Sequence, residues 1–463
     1  MFWRMRSWTA DAALRLRIPS SSIGKGMHAM ERFGVERKFA RYISQNILGM
    51  IGISAYVLAD TCFISQAEGA RGITALNLVL PLYSLIFAIG SMTGVGAATR
   101  FSIQSARGDR GADFYFSNAI EFAVIFSMIF VAMGAWIPDR IVAFLGGDAE
   151  IVKVGTPYTR IFMVCAPFFM LNYIFGAFVR NDGDPSLAMA ATLSSSLFNI
   201  VMDYILMFPL KMGMAGAALA TGLSPLVGIA VAGIHFLTRK NTIRVRWTLP
   251  DWKKLIRSWQ LGTSAFVGEI ASGVTTVVFN FLILGIAGND GVAAYGIVAN
   301  AAIVATAIFN GVAQGSQPLL SDYYGKNEQG SLRRVLMLSV GTAFVLSLLV
   351  ILVTNQSAET LIAVFNSEQN QQMASYALQG VRLYFIGFLF AGFNIVGTGF
   401  LSATESAGWA FVTSILRGFV AIAVCAFTMS RLFGMTGIWL AFAAAELLTA
   451  VVMASILLRR WLQ

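Results

Sequence analysis

The sequence is poor in nearly everything a water-soluble enzyme needs. Of 463 residues only 12% are charged and 57% are hydrophobic, with a mean hydropathy of +0.71. Soluble domains carry about 25% charge, roughly twice that share. An aqueous core could not absorb so much apolar surface, so a soluble enzyme, a disordered chain and a nucleic-acid binder are excluded. Cysteine is scarce: Cys62, Cys165 and Cys425 lie far apart in apolar segments, without metal-ligand or redox spacing, and read as small packing residues. Histidine is scarcer. His28 and His235 are isolated, so neither an H-E-x-x-H metal site nor a nucleophile–base pair can be built, and the chain reads as a non-enzyme without cofactor. It also has no G-x-x-x-x-G-K-[ST] loop, so a pumping step would draw on an ion gradient instead of a nucleotide.

What the sequence does have is long apolar runs. They fall near 42–64, 72–99, 114–137, 158–180, 187–209 and 215–238, then near 260–287, 291–320, 335–354, 376–402, 408–430 and 436–458. About 20 residues cross a bilayer as a helix, and open sheet edges cannot face lipid. The expected fold is an all-α polytopic membrane protein of twelve transmembrane helices. The basic segment 1–40, with no apolar run long enough for a signal peptide, reads as a cytoplasmic tail, with Met27 and Met30 as alternative starts. Residues 41–238 form the first lobe and 260–458 the second. The stretch 239–259 reads as an amphipathic cytoplasmic connector with Trp247, Trp252 and Trp259 at the membrane interface, and 459–463 as a cytoplasmic end.

The net charge of +10 is a topological signal. The segments assigned inside collect 25 of the 33 Lys and Arg, while outer loops 65–71, 210–214, 288–290 and 355–375 carry only Arg71 and Lys211. Both termini and the connector are therefore expected in the cytoplasm. The chain also repeats. GVGAATRFSIQSARGD (94–109) matches GVAQGSQPLLSDYYGKN (311–327), with Gly94/Gly311, Thr99/Ser316 and Gly108/Gly325 in register. GITALNLV (72–79) matches GVAAYGIV (291–298), and GMAGAALA (213–220) matches GMTGIWLA (434–441). Each half holds six helices and starts on the same side, so the halves form two pseudo-symmetric six-helix bundles about an axis along the membrane normal. That architecture is typical of alternating-access transporters.

Ionisable groups inside a bilayer are costly and point to function or pairing. The deeply placed ones are Asp60, Glu121, Asp203, Glu269, Arg417 and Glu446. At about 1.5 Å per residue, Asp60 lies about 6 Å from the outer end of its span, and Asp203 and Thr221 about 9 Å from theirs. Asn199 is one turn from Asp203 on the same face. Four oxygen-bearing side chains thus share one depth in the first lobe, whereas Phe279 or Asn280 falls opposite Asp60 and Cys425 lies near the Asp203 level. Arg417 and Glu446, about 14 and 18 Å from the inner end, are expected to pair, with Glu269 the second candidate partner. Asn172, Asn280, Asn394 and Gln317 are in-span amides expected to line a substrate cavity or to mediate helix packing. Pro81, Pro167 and Pro225 interrupt spans of the first half, against Pro318 in the second.

The segments YVLADTCFIS (56–65), FNIVMDY (198–204) and MGMAGAALAT (212–221), in their twelve-helix frame, resemble the multidrug and toxic compound extrusion (MATE) family. The likeness covers residues 38–460 and is strongest to the MepA-like and DinF-like bacterial branch. It implies that Asp60, Asn199, Asp203 and Thr221 line a first-lobe cation site, for H+ or Na+, with Tyr56 an aromatic one turn before the aspartate. Two departures stand out. Gln45 replaces a common proline, leaving Gly49 and Gly52 to bend helix 1. Glu269 falls about one turn early for the helix-7 glutamate of another branch, whose helix-10 aspartate is missing here. The resemblance implies a cation-coupled antiporter of amphipathic, mostly cationic small molecules in the bacterial inner membrane. No nucleic acid and no obligate protein partner are implied. The alternative is a flippase for lipid-linked oligosaccharide or peptidoglycan precursors, whose anionic cargo calls for more basic groups inside than Arg417.

Overall fold

Lipid offers backbone N–H and C=O groups no hydrogen-bond partner, so a chain this apolar satisfies them within helices. The computed structural model describes residues 20–246, 249–365 and 370–462, and no strand occurs among them. Nine helical stretches there are long and apolar enough to cross a membrane. Two of them fold back at a glycine, and a bent pair of shorter helices adds one more, giving twelve.

The first lobe consists of α1 (20–68), α2 (70–106), α3 (Phe114–Trp136), α4 (Ala149–Val164 and Ala166–Asn181), α5 (Pro185–Met207) and α6 (Gly213–Gly233). The second consists of α7 (252–287), α8 (289–325), α9 (Gln329–Gln356), α10 (Gln371–Tyr384 continued by Phe388–Ala403), α11 (407–433) and α12 (435–462). Short helices Pro138–Phe144 and Ala358–Phe365 occupy equivalent places before α4 and α10. The 46° bend in α4 falls where Pro167 removes an N–H from the ladder.

Four hairpins share one device, spelled G-x-x-G; at the α5–α6 turn Gly213 has φ +53° and a Cβ on Gly216 would meet Leu206 at 3.1 Å. Gly69, Gly288 and Gly434 adopt φ near +60°, which a residue with a Cβ rarely tolerates. The glycine three positions on then passes close to the helix just left. A Cβ on Gly72 would meet Ile64 at 3.1 Å, one on Gly291 would meet Ile283 at 2.8 Å, and one on Gly437 would meet the Met429 carbonyl at 1.9 Å. Gly72 with Gly291, and Gly213 with Gly434, which head two of the matched segments, are thus hairpin glycines.

Each lobe has its own apolar core, the first reaching from Ile64 to Ile243 and the second gathered on α7 to α12. Exposed apolar side chains such as Leu197 and Val201 on α5, Phe281 on α7 and Leu348 on α9 form the surface that faces lipid. The lobes exchange their leading helices. Val35, Phe39 and Ile43, spaced one turn apart on α1, are buried in the second-lobe core, and α1 crosses α8 at Gly311 and Gly315. In return α7 crosses α2, where a Cβ on Gly262 would lie 1.9 Å from the Met92 carbonyl.

Two expectations at the chain's surface segments change. The tail ascribed to 1–40 is helical from Ser20 and continuous with α1, its turn-to-turn apolar stripe being used against the other lobe; residues 1–19 lie outside the described residues. The stretch expected as a connector, 239–259, is helical over its last eight residues only. Residues 252–259 are the first turns of α7, and the irregular stretch before them is pinned to the first lobe. Asp182 accepts from the Thr242 N–H at 2.8 Å and from the Thr242 hydroxyl, and His235 Nε2 bonds it at 2.7 Å. Lys240 reaches Asp184 at 2.9 Å, and Asn118 pairs with the backbone of Asp251. Trp252 and Trp259 pack on Phe122 and Phe126, and Trp259 Nε1 donates to Thr93 Oγ1 at 3.0 Å. Trp247 lies outside the described residues.

At the end where basic residues gather, polar contacts tie lobe to lobe. Glu405, in the α10–α11 turn, accepts from Arg100 on α2 and, at 2.8 Å, from Arg107 just after its end. Glu36 on α1 pairs with Arg334 on α9. Arg180 on α4 donates to Asn46 on α1 at 2.7 Å and to Gln314 on α8 at 2.9 Å. At the opposite end, Arg71 with Glu150 and Asn370 with Asp290 stay within one lobe. The structure is closed at its basic end. Glu405→Gln removes the shared anion of the clamp, at about 1.5–3 kcal/mol for charged hydrogen bonds. A cysteine placed by Ser316→Cys, at a position 1% exposed, should then react with a thiol reagent at least tenfold faster; an unchanged rate would show that Glu405 does not hold the lobes together.

Candidate functional site

Asp60 reaches the first-lobe interior because α1 can lie close against α5. A Cβ on Gly52 would come 2.5 Å from Leu193 and 3.8 Å from Ser196, and one on Gly49 3.8 Å from Thr192. These glycines therefore serve close helix approach, and not the bend expected of them in place of a proline. Gln45 itself donates to Ser186 Oγ at 2.8 Å. Because α1 runs on to the turn at Gly69, Asp60 lies nine residues from the turn, about 13 Å at 1.5 Å per residue. It is deeper than a span ending at 64 implied.

Asp60, Asn199, Asp203 and Thr221 come from α1, α5 and α6, and all four are buried, Asn199 and Asp203 completely. The carboxyl groups of Asp60 and Asp203 lie within hydrogen-bonding reach of each other. Asn199 is 3.2 Å from Thr221 Oγ1. With its amide nitrogen toward Asp203 it donates to Asp203 Oδ2 at 3.2 Å while its oxygen accepts from the Thr221 hydroxyl at 3.2 Å. That leaves Asp60 Oδ1 and Asp203 Oδ1 buried without a hydrogen-bond partner among the described residues. Buried acceptors of this kind are costly unless a proton or cation satisfies them.

Tyr56, half-buried on α1, is close enough to sense the charges of Asp60, Asp203 and Glu269. Sequence reasoning missed a second phenol. Tyr158 on α4 is fully buried, its hydroxyl has no hydrogen-bond partner among the described residues, and it senses Asp60, Asp203 and Tyr56. Its ring lies beside the stacked pair of Tyr83 and Phe162, whose centroids are 3.6 Å apart, at 6.1 Å from the first and 6.3 Å from the second. No motif marks it; the available signal was a tyrosine at the end of an apolar run that α4 carries past the expected start at 158. Glu269, half-buried on α7, sits near Tyr56 and Tyr173, across the lobe boundary from the aspartates.

The second lobe is built differently at the equivalent positions. The hairpin glycines set Phe279 opposite Asp60, and Phe279 is fully buried against Tyr295 at 5.3 Å. Its charge lies elsewhere. Arg417, on a π-helical turn in α11, donates from Nε to Glu446 Oε1 at 2.7 Å, and Asn394 Nδ2 donates to Glu446 Oε2 at 2.7 Å. Asn394 is therefore not cavity-lining, because burial and this bond occupy its amide. Gln317 is likewise buried, donating to Thr99 Oγ1 between α8 and α2 instead of facing substrate. Asn172 is half-buried against Gly228 on α6, and Asn280 is half-buried on α7.

The MatE family profile matches this chain twice, over residues 46–205 and 265–428, once in each lobe. The chain belongs to the MatE family. Among its MatE relatives are the multidrug export protein MepA of Staphylococcus saprophyticus, 27% identical over 433 residues covering 92% of this chain and 94% of the relative. MepA of Staphylococcus aureus strain MRSA252 is 28% identical over 436 residues with the same coverage. The fold matches a structure described as the outward-facing conformation of a multidrug resistance MATE family transporter of the MOP superfamily, with a TM-score of 0.85 at 20% identity over 90% of this chain and 94% of that one. It also matches a MOP superfamily transporter from Pyrococcus furiosus, described as having a binding pocket of reverse polarity suggesting a different function, with a TM-score of 0.83 at 20% identity and the same coverage. This MatE chain is thus a multi-pass membrane protein. In its second lobe, Arg417→Met would leave Glu446 buried without its counter-charge, at about 3 kcal/mol. Arg417→Met/Glu446→Leu should recover much of the lost thermal stability in detergent, and equal midpoints for the two variants would show that the pair is not coupled.

Proposed function

We propose that this protein is a multidrug efflux antiporter that exchanges amphipathic, mostly cationic small molecules for a coupling cation across the bacterial inner membrane. The observation that carries the reading is the Asp60–Asp203 pair, two buried carboxyls in mutual reach with an unpartnered oxygen on each. Two carboxylates this close in an apolar lobe resist ionising together, so the pair favours holding a proton or a cation. A shared proton meets this need without disturbing Asn199 or Thr221. Sodium would have to recruit those oxygens from the bond they make to each other, since a hard cation takes several oxygen ligands. Proton coupling is therefore the reading we favour.

Alternating access follows from linkage. With the basic end closed, the pair takes its ion from the opposite side, and a bound ion that disfavours the drug-loaded state drives release there. Glu269, Tyr56 and Tyr173 offer a carboxylate and aromatic faces at the lobe boundary, a combination suited to organic cations. The surplus of Lys and Arg at the closed end supports cytoplasmic termini. The flippase alternative is disfavoured because the guanidinium of Arg417 is already engaged by Glu446.

The test is efflux from everted vesicles with pH and sodium gradients imposed separately. Wild type should respond to the pH gradient. Asp60→Asn and Asp203→Asn should each reach the membrane folded yet lose at least tenfold in gradient-driven efflux, while Glu269→Gln changes substrate preference more than coupling. Wild-type rates in the Asp60→Asn/Asp203→Asn double variant would falsify the assignment and move it toward Glu269.

A further inference from the structure

The contacts that tie the lobes at the basic end are of two kinds. Arg100, Arg107 and Arg334 meet carboxylates, those of Glu405 and Glu36. Arg180 crosses the same boundary with neutral partners only. It donates to the amide oxygens of Asn46 on α1 and Gln314 on α8, at 2.7 and 2.9 Å. Its buried Nε has no hydrogen-bond partner among the described residues. The carboxylates that follow it in the chain are committed elsewhere, Asp182 to His235 and Thr242, and Asp184 to Lys240. Amide oxygens orient a guanidinium without cancelling its charge. Arg180 stands in the last turn of α4, whose carbonyl end offsets roughly half a charge. A net positive centre is left inside the boundary.

The level of that centre gives it a role. Along α1, Asn46 is ten residues deeper than Glu36 and fourteen short of Asp60. At 1.5 Å per residue these steps are about 15 and 21 Å. On α4, Arg180 follows Tyr173 by seven residues, two turns along one face, and Tyr173 senses Glu269 at the lobe boundary. Arg180 thus stands between the Glu36–Arg334 pair at the basic end and the carboxylate pair of the first lobe. We propose that Arg180 is an electrostatic barrier to small cations, keeping protons and sodium from leaking between the basic end and the Asp60–Asp203 pair while that end is closed. A fixed guanidinium raises the energy of a passing cation and puts no such penalty on an anion. The inference rests on the proposed exchange only for its benefit, since an uncoupled leak would dissipate the gradient that drives efflux. The barrier itself needs no drug to be measured.

The experiment follows the decay of an imposed pH gradient, and separately of a chloride gradient, in liposomes holding the purified full chain without drug. Wild type should add little to the decay seen in protein-free liposomes. Arg180→Gln should raise the protein-dependent decay of the pH gradient about 30-fold, the Boltzmann factor for removing a unit charge about 8 Å from a passing cation at an effective dielectric constant of about 20. It should leave the chloride gradient intact. Arg180→Lys keeps the charge and should hold the pH gradient. Gln314→Ala removes the second-lobe anchor but not the charge, and should hold it too. Asp60→Asn/Asp203→Asn should lose gradient-driven efflux without leaking, so failure of the coupling reading shows in the drug assay and not in this one. A tight Arg180→Gln, an Arg180→Lys that leaks as fast as Arg180→Gln, or equal leakage by Gln314→Ala, the mark of a steric seal, would each overturn the proposal. So would chloride escaping together with protons from Arg180→Gln, the mark of a damaged fold.

Discussion

Charge placed inside an apolar bundle must be neutralised locally, because neither lipid nor packed hydrocarbon solvates it. The two lobes meet this constraint in opposite ways. The first brings Asp60 and Asp203 together without a protein cation, and Asn199 with Thr221 supplies only dipoles. The second brings its own cation, Arg417, to Glu446, with Asn394 filling a further lone pair. One lobe leaves carboxylate oxygens unpartnered among the described residues; the other pairs its carboxylate with its own cation.

That asymmetry rests on a symmetric backbone. G-x-x-G hairpins recur at 69–72, 213–216, 288–291 and 434–437, and α1 and α7 each cross into the opposite lobe over glycine. Close approach through absent side chains lets van der Waals packing hold the helices where the hydrophobic effect cannot act between them. On such a frame side chains diverge freely: Phe279 fills with an aromatic ring the position that Asp60 fills with a carboxylate.

The closed basic end connects the two themes. Arg100, Arg107 and Glu405 join the lobes near water, where an ion pair is worth little alone, and the arrangement gains from being shared and partly buried. The connector is fastened to the first lobe through Asp182, His235 and Thr242, so the second lobe can rock against a fixed base. These contacts belong to the one state seen here, in which the basic end is closed.

Composition alone required a membrane protein of helices, since long apolar runs admit no other satisfied backbone, and the repeated glycines disclosed the doubled lobe. Depth counting and motif spacing put Asp60, Asn199, Asp203 and Thr221 on one list because helical rise and period are local properties. Tertiary structure decided the rest. Tyr158 joined the aspartates only because α4 begins earlier and bends at Pro167, and Asn394 and Gln317 left the cavity because their amides found Glu446 and Thr99. The tail became the start of α1 because its apolar stripe met a partner in the other lobe. Such outcomes depend on which helices pack together, and that is set by contacts between residues hundreds of positions apart, which no local period encodes.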